Sequence, residues 1–349
     1  MTIAGVASAF PPHKYDQRVL LTALQRHFGP MVENPVFMER LQARVGVETR
    51  HLALPIEAYY DLKSWGKANN HWIEVAQELG QKALCCALTR AGFAPSDLGA
   101  LFFVSITGIS SPSIDARLIN RMSLPVNIKR VPIFGLGCVA GAAGIARAAD
   151  YVLAYPKQVA AVLAVELCSL TLQQEDLSVA NLISSGLFGD GAAAVLVAGA
   201  ERKANGPEIL ATRSVFYPNS EHVMGWDISE KGFRIVLSRE VPEVVHEHLA
   251  SDVDAFLEEQ GLSRSDIGSW ILHTGGPRVL EATAAALELP EDALAVSWDC
   301  LRRTGNLSSA SVLVVLEEVM TKRRPAAGTY SLLAAMGPGF CSELVLLRW

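Results

Sequence analysis

The 349-residue chain sets 30 Lys and Arg against 36 Asp and Glu, a net charge of −6, with 50% hydrophobic and 19% charged residues. That balance excludes a nucleic-acid binder built on a basic face and leaves ample apolar material for one large or two medium domains. Six cysteines without CxxC spacing fit reduced thiols in a cytoplasmic protein, not a disulfide framework or a zinc site. No apolar run reaches the ~18 residues of a membrane span, and Met1–Leu20 lacks the pattern of a signal peptide.

Taken in order, Thr2–Phe10 predicts a first strand closed by Pro11-Pro12. Residues 16–44 carry helical periodicity with a break at Gly29-Pro30, 45–68 is less regular, and Trp72–Ala91 predicts a long amphipathic helix. Pro95–Leu98 is a turn and Ala100–Ile106 a buried strand. Strand and helix signals alternate on to Ala198, which predicts an α/β fold.

Within that run, Val131, Ile133 and Phe134 read as a buried strand that breaks at Gly135-Leu136-Gly137, with Cys138 at the break and a small-residue helix to Asp150 or beyond. A thiol at a strand-to-helix turn sits at the positive end of a helix dipole, which favours thiolate and predicts a pKa brought from about 8.5 toward 7 or lower. On this stretch alone, a buried small hydrophobe is an equal reading of Cys138.

The chain then repeats itself. Arg90–Gly108 and Glu259–Gly276 both turn at Ser-Asp-(Leu/Ile)-Gly and enter an apolar strand; setting Ser96 on Ser265 gives an offset of 169. The same offset carries Cys138 to 307, inside the turn Thr304–Ser309, and Gly189-Asp190-Gly191 finds an echo in Gly337-Pro338-Gly339. Two duplicated halves follow, 1–203 and 204–349, related by a pseudo-twofold axis. Cys138 and Asn306 then stand at equivalent helix starts, and His273 ends the strand of the second half. Together they supply a nucleophilic sulfur, an imidazole and an amide donor, the last two able to hold an oxyanion. No metal-ligand spacing and no phosphate-cradling loop is visible.

Gly137-Cys138-Val139-Ala140-Gly141, Leu187–Ala192, His273–Pro277, Gly305–Ser309 and Gly337–Phe340, in that order, resemble the type III polyketide synthases, the chalcone synthase-like branch of the thiolase superfamily. Val165–Thr171, Met224–Asp227 and the ending FCSELVLLRW are similar to bacterial members that make alkylpyrones and alkylresorcinols. The resemblance implies a five-layered αβαβα thiolase-like fold and a homodimer that uses free CoA thioesters. It implies no cofactor, no metal and no acyl carrier protein. It also implies that Cys138 carries the acyl starter while His273 and Asn306 hold the malonyl-CoA carbonyl through decarboxylation. Phe188 matches a gatekeeper aromatic and Ile235 falls at the second gatekeeper; Cys168 and Thr107 match pocket or tunnel positions, and Gly225 a cyclisation cavity. Arg40 and Arg44, one helical turn apart, are candidates to meet the CoA phosphates, though a solvated helix face is the default reading of such a pair. Ser111 matches a residue reaching across the dimer. Thr274 stands where the family has proline.

The expected activity is iterative condensation of a medium- or long-chain fatty acyl-CoA starter with malonyl-CoA, or methylmalonyl-CoA, to an alkylpyrone or alkylresorcinol. Two rivals remain: a ketoacyl synthase III-like enzyme making a single condensation, and a non-catalytic thiolase-fold dimer partner. The second rival should have lost one of the three site residues.

Overall fold

The computed structural model describes residues 1–31 and 35–349, with backbone alone at 35–38; positions 32–34 of the predicted 16–44 helical stretch lie outside the described residues. The first half runs β1 (Thr2–Ala9), β2 (His13–Asp16), α1 (Gln17–Phe28), α2 (Pro35–Ala43), β3 (Thr49–Leu52), α3 (Ile56–Tyr59), α4 (Trp65–Ala91), β4 (Leu98–Val104), α5 (Ile114–Met122), β5 (Lys129–Ile133), α6 (Ala140–Ala154), β6 (Val159–Leu167), α7 (Val179–Leu187) and β7 (Asp190–Ala198). The second runs β8 (Glu208–Phe216), β9 (Met224–Ser229), β10 (Gly232–Leu237), α8 (Val241–Glu258), β11 (Ile267–Leu272), α9 (Pro277–Ala286), α10 (Ala295–Thr304), α11 (Ser311–Lys322), β12 (Tyr330–Gly337) and β13 (Cys341–Arg348).

The strand order β11-β12-β13-β8-β1-β7-β6-β4-β5 contains the duplication. β4, β6, β7 and β1 of the first half correspond to β11, β12, β13 and β8 of the second, and the matching pairs β4–β6 and β11–β12 are both parallel. The two parts join at one β-bridge, Thr2 with Glu208. Both strands β4 and β11 are entered through a 3₁₀ turn closed by an aspartate, Asp97 or Asp266, which accepts from the backbone N–H three residues back.

Side chains alternate along each strand, so each sheet feeds two cores. On β6, Ala160, Val162 and Ala164 face one core while Ala161, Leu163 and Val165 face another; on β12, Leu333 and Ala335 part from Leu332 and Ala334 in the same way. The shared inner core holds α6 and α11 between the sheets. α4 covers the outer face of the first sheet, and α8 to α10 cover that of the second. This is the expected five-layered αβαβα arrangement. The alanine- and glycine-rich sequence of α6 suits a helix pressed from both sides.

Two expectations need correction. α4 begins at Trp65, a turn and more before Trp72, because Ser64 caps it by accepting from the Lys67 N–H. β5 is not a buried strand: it pairs only with β4 and ends the sheet, leaving its residues exposed or half-buried and Phe134 49% exposed. Its β-branched residues signal a strand correctly, but composition does not distinguish an edge from a centre. Among the described residues, no helix is long and apolar enough to cross a membrane.

Candidate active site

β5 points at the site, and the chain turns sharply after it. Gly137 takes φ +55°, and a Cβ there would lie 2.7 Å from the Pro338 ring, so the turn requires glycine twice over. Cys138 follows in the 3₁₀ turn Gly137–Val139 that runs into α6. It is 7% exposed, and its Sγ lies 3.6 Å from Ser308 Oγ.

His273 extends β11 by one residue, its N–H donating to the Ala334 carbonyl at 3.1 Å. The ring is buried and Nδ1 has no protein partner among the described residues. Asn306 is tied to the strand-like segment at Phe188: its N–H donates to Leu187 O, and its carbonyl accepts from the Gly189 N–H, both at 2.9 Å. Its Oδ1 accepts from the Ser308 N–H at 2.8 Å and from Ser311 Oγ at 3.4 Å; Nδ2 donates to Gly275 O at 3.3 Å. The carbonyl end of this amide therefore caps the turn into α11, which leaves a second N–H of Nδ2 for a ligand.

Cys138, His273 and Asn306 line one cavity of about 430 Å³, together with Phe188, Met224 and Leu237. Arg44, Arg239 and Arg278 also line it, and among the described residues no aspartate or glutamate does. A second cavity of about 110 Å³ adjoins it and contains Cys168, Ile235 and Trp226; Phe188 lines both. Phe188 is thus the partition, and Cys168 and Ile235 belong to the space behind it.

The charge state differs from the expected one. Burial pushes the Cys138 thiol up to about 12, outweighing its hydrogen bond to Ser308, and pushes the His273 imidazolium down to about 4. Burial thus disfavours each charge taken alone, the thiolate and the imidazolium.

Four of the other predicted positions lie elsewhere. Thr107 lines neither cavity: it is buried, its Oγ1 donating to Glu166 Oε2 at 2.9 Å and accepting from the Leu167 N–H at 2.9 Å and Trp72 Nε1 at 3.2 Å. Gly225 faces away from both, since Met224 and Trp226 on either side turn to the cavities and strand neighbours alternate. Arg40 is exposed on α2 and only Arg44, a turn later, reaches the cavity. Ser111 is exposed in the loop before α5. Arg239 and Arg278 were not singled out from the sequence. Arg278 carries a usable signal, since it follows Gly275-Gly276-Pro277 at the start of α9.

Residues 45–201 match the N-terminal domain and residues 208–349 the C-terminal domain of the chalcone and stilbene synthases. The chain is 50% identical to a 1,3,6,8-tetrahydroxynaphthalene synthase of Streptomyces peucetius subsp. caesius over 100% of its own length and 93% of that protein's. It is 31% identical to a phloroglucinol synthase of Pseudomonas fluorescens, over 97% of each chain. The crystal structure of 1,3,6,8-tetrahydroxynaphthalene synthase from Streptomyces coelicolor superimposes with a TM-score of 0.93 at 32% identity, covering 100% of this chain and 99% of that one. With both domains matched and relatives aligned end to end, the chain belongs to the chalcone and stilbene synthase family and is a condensing acyltransferase, a bacterial type III polyketide synthase.

Proposed function

We propose that this enzyme builds 1,3,6,8-tetrahydroxynaphthalene or a close polyhydroxyarene from malonyl-CoA, with Cys138, His273 and Asn306 as its catalytic residues. The observation that carries this reading is the convergence of a thiol, an imidazole and a free amide N–H on one cavity that also holds three arginines and, among the described residues, no carboxylate. A CoA thioester is polyanionic at one end and needs such arginines; Arg44, Arg239 and Arg278 meet its phosphates.

The thiol of Cys138 gives its proton to His273 and attacks the starter thioester, and CoA leaves as the thiol. His273 and the Asn306 amide then hold the carbonyl oxygen of malonyl-CoA. As CO₂ departs, the electron pair of the broken C–C bond becomes an enolate on that oxygen. The enolate carbon bonds to the acyl carbon and the Cys138 sulfur leaves, giving a chain longer by two carbons on CoA. Reloading repeats the cycle. Ten ring carbons with oxygens at alternating positions match five such two-carbon units, all of which malonyl-CoA can supply. The 50% identity to a protein of that name supports the product.

A long fatty acyl starter is the second reading, favoured by Leu20, Leu24, Leu52 and Ile56 in the cavity behind Phe188. A homodimer fits the exposed edge strand β5 with Phe134 beside it.

The deciding assay incubates the protein with malonyl-CoA alone and with acyl-CoA starters from acetyl to stearoyl, beside Cys138→Ala, and reads products by mass spectrometry. A naphthalene product from malonyl-CoA alone, absent in the variant, is expected. Products formed only with long starters would move the assignment to alkylpyrones or alkylresorcinols.

A further inference from the structure

The last turn of α7, which ends at the partition, has every carbonyl met by a residue outside the helix. The Phe188 N–H donates to Ser184 O at 3.0 Å and the Asn306 N–H to Leu187 O at 2.9 Å. Arg50 Nη1 donates to Ser185 O at 2.9 Å and to Phe188 O at 2.6 Å; Gln17 Nε2 donates to Gly186 O at 2.9 Å. A helix leaves these carbonyls unpaired, and a buried end needs partners for them. Arg50 is buried, and a guanidinium at this end also complements the helix dipole.

Gln42, on α2, completes the set from one turn back. Its Nε2 donates to Leu182 O at 2.7 Å, and its Oε1 accepts from Gln17 Nε2 at 3.3 Å. Gln17 Oε1 in turn accepts from Arg50 Nε at 3.1 Å. A guanidinium only donates and a backbone carbonyl only accepts, so the row Arg50–Gln17–Gln42–Leu182 runs in one direction and fixes both amides. Gly186 makes the seat: an added Cβ would collide with the Gln42 amide, to which its three nearest atoms all belong. While Gln42 is buried against α7, Leu41 beside it and Arg44 and Val45 just beyond α2 line the catalytic cavity. α2 therefore meets the cavity on one side and the end of α7 on the other.

We propose that Gln42 is a positioning residue that determines product length: it pins the end of α7, and with it Phe188, to the helix that delivers Arg44 to the catalytic cavity. The inference rests on the condensation reading above and deepens it. Gln42 touches no reacting atom. It holds the partition at one setting, and a partition free to move lets chains of more than one length form.

Gln42→Met keeps the length of the side chain and loses both hydrogen bonds. Leu182 O still accepts from Ser185 Oγ at 2.8 Å, so the helix end is not left bare. With malonyl-CoA as substrate, kcat for CO₂ release should be unchanged, while products of other chain lengths rise about fivefold relative to the main one, the worth of one hydrogen bond. Gly186→Ala, which dislodges Gln42 from the opposite side, should give the same spread. The double variant Gln42→Ala/Gly186→Ala has no collision; it should melt with Gln42→Ala and keep the spread of products. An unchanged product spectrum in Gln42→Met overturns the assignment, as does a parallel fall of CO₂ release and all products. A double variant with the parent spectrum also overturns it, since Gln42 would then only fill space. If Gln42→Met does not fold, Gly186→Ala and the double variant decide. A parent enzyme that forms no product from malonyl-CoA loses the proposed function, and the pin is then read without turnover by hydrogen exchange. The Phe188 and Gly189 amides should exchange about fivefold faster in Gln42→Met, with those of α8 unchanged. Equal exchange at Phe188 and Gly189 in variant and parent overturns the assignment there.

Discussion

At the scale of single residues, the site is governed by burial. Burial pushes the Cys138 thiol up to about 12, and in the proposed mechanism the imidazole of His273 takes its proton so that sulfur reacts near neutrality. Replacing His273 with Gln should therefore slow alkylation of Cys138 by iodoacetamide at pH 7. The remaining rate should climb about tenfold per pH unit, with no plateau below pH 10, because the thiolate fraction follows hydroxide up to the thiol pKa. Mass-spectrometric labelling rates across pH check this, and an unchanged neutral-pH rate in the variant would show that the helix terminus ionises the thiol unaided. Thr107 makes a contrasting case. Its hydroxyl joins Trp72, Leu167 and Glu166, whose own buried carboxyl is pushed up to about 7. Thr107→Val should cost about 1–3 kcal/mol in chemical denaturation, from unmet partners, with starter preference unaltered. The three candidate site residues were legible because each stands at a break in an apolar strand or at the start of a helix. Thr107 was misread because sequence does not tell a polar residue facing a cavity from one satisfied inside the wall.

At the scale of elements, the C-terminal end of α7 and the segment after it join the halves at the site. Phe188 pairs with Asn306 through two backbone hydrogen bonds on one side and is held by Arg50 through its carbonyl on the other. The β9–β10 hairpin supplies the facing wall in register: Met224 pairs with Leu237 at the catalytic cavity and Trp226 with Ile235 at the rear one. Phe188→Ala removes the partition while leaving these backbone bonds, and should shift products to species heavier by whole ketide units in a malonyl-CoA assay. An unchanged product spectrum would mean that the rear cavity never receives the chain. The periodic elements could be read from sequence; the facing of the hairpin could not. Gly225 and Ile235 are ten residues apart on two strands, and only the observed register shows that Ile235 faces in and Gly225 faces out. Arg239 and Arg278 read as ordinary solvated charges until the fold brings them beside Arg44.

At the scale of the whole molecule, the duplication sets the geometry of catalysis. Ala140, the first residue of α6, answers to Ser311, the first of α11, and Val159 of β6 to Tyr330 of β12, each pair 171 residues apart. The starts of the two central helices meet on the pseudo-twofold axis, which is why residues 168 positions apart, Cys138 and Asn306, share one cavity. Their approach depends on Gly141: a Cβ there would lie 2.2 Å from the Ser309 carbonyl oxygen and 2.9 Å from Val312 Cγ1. Both atoms belong to the second half, and neither is the end of a long flexible chain. Gly141→Ala should force the helices apart, cost about 1–3 kcal/mol or more of stability, and depress condensation by displacing Ser308 and Asn306 from Cys138. Gly66→Ala on α4, where an added Cβ meets nothing within 4 Å, should leave the melting temperature unchanged or raise it. Thermal denaturation of the two variants side by side tests this. A Gly141→Ala protein as stable and active as the parent would mean that the halves slide past each other freely, and that the shared site does not depend on their close contact.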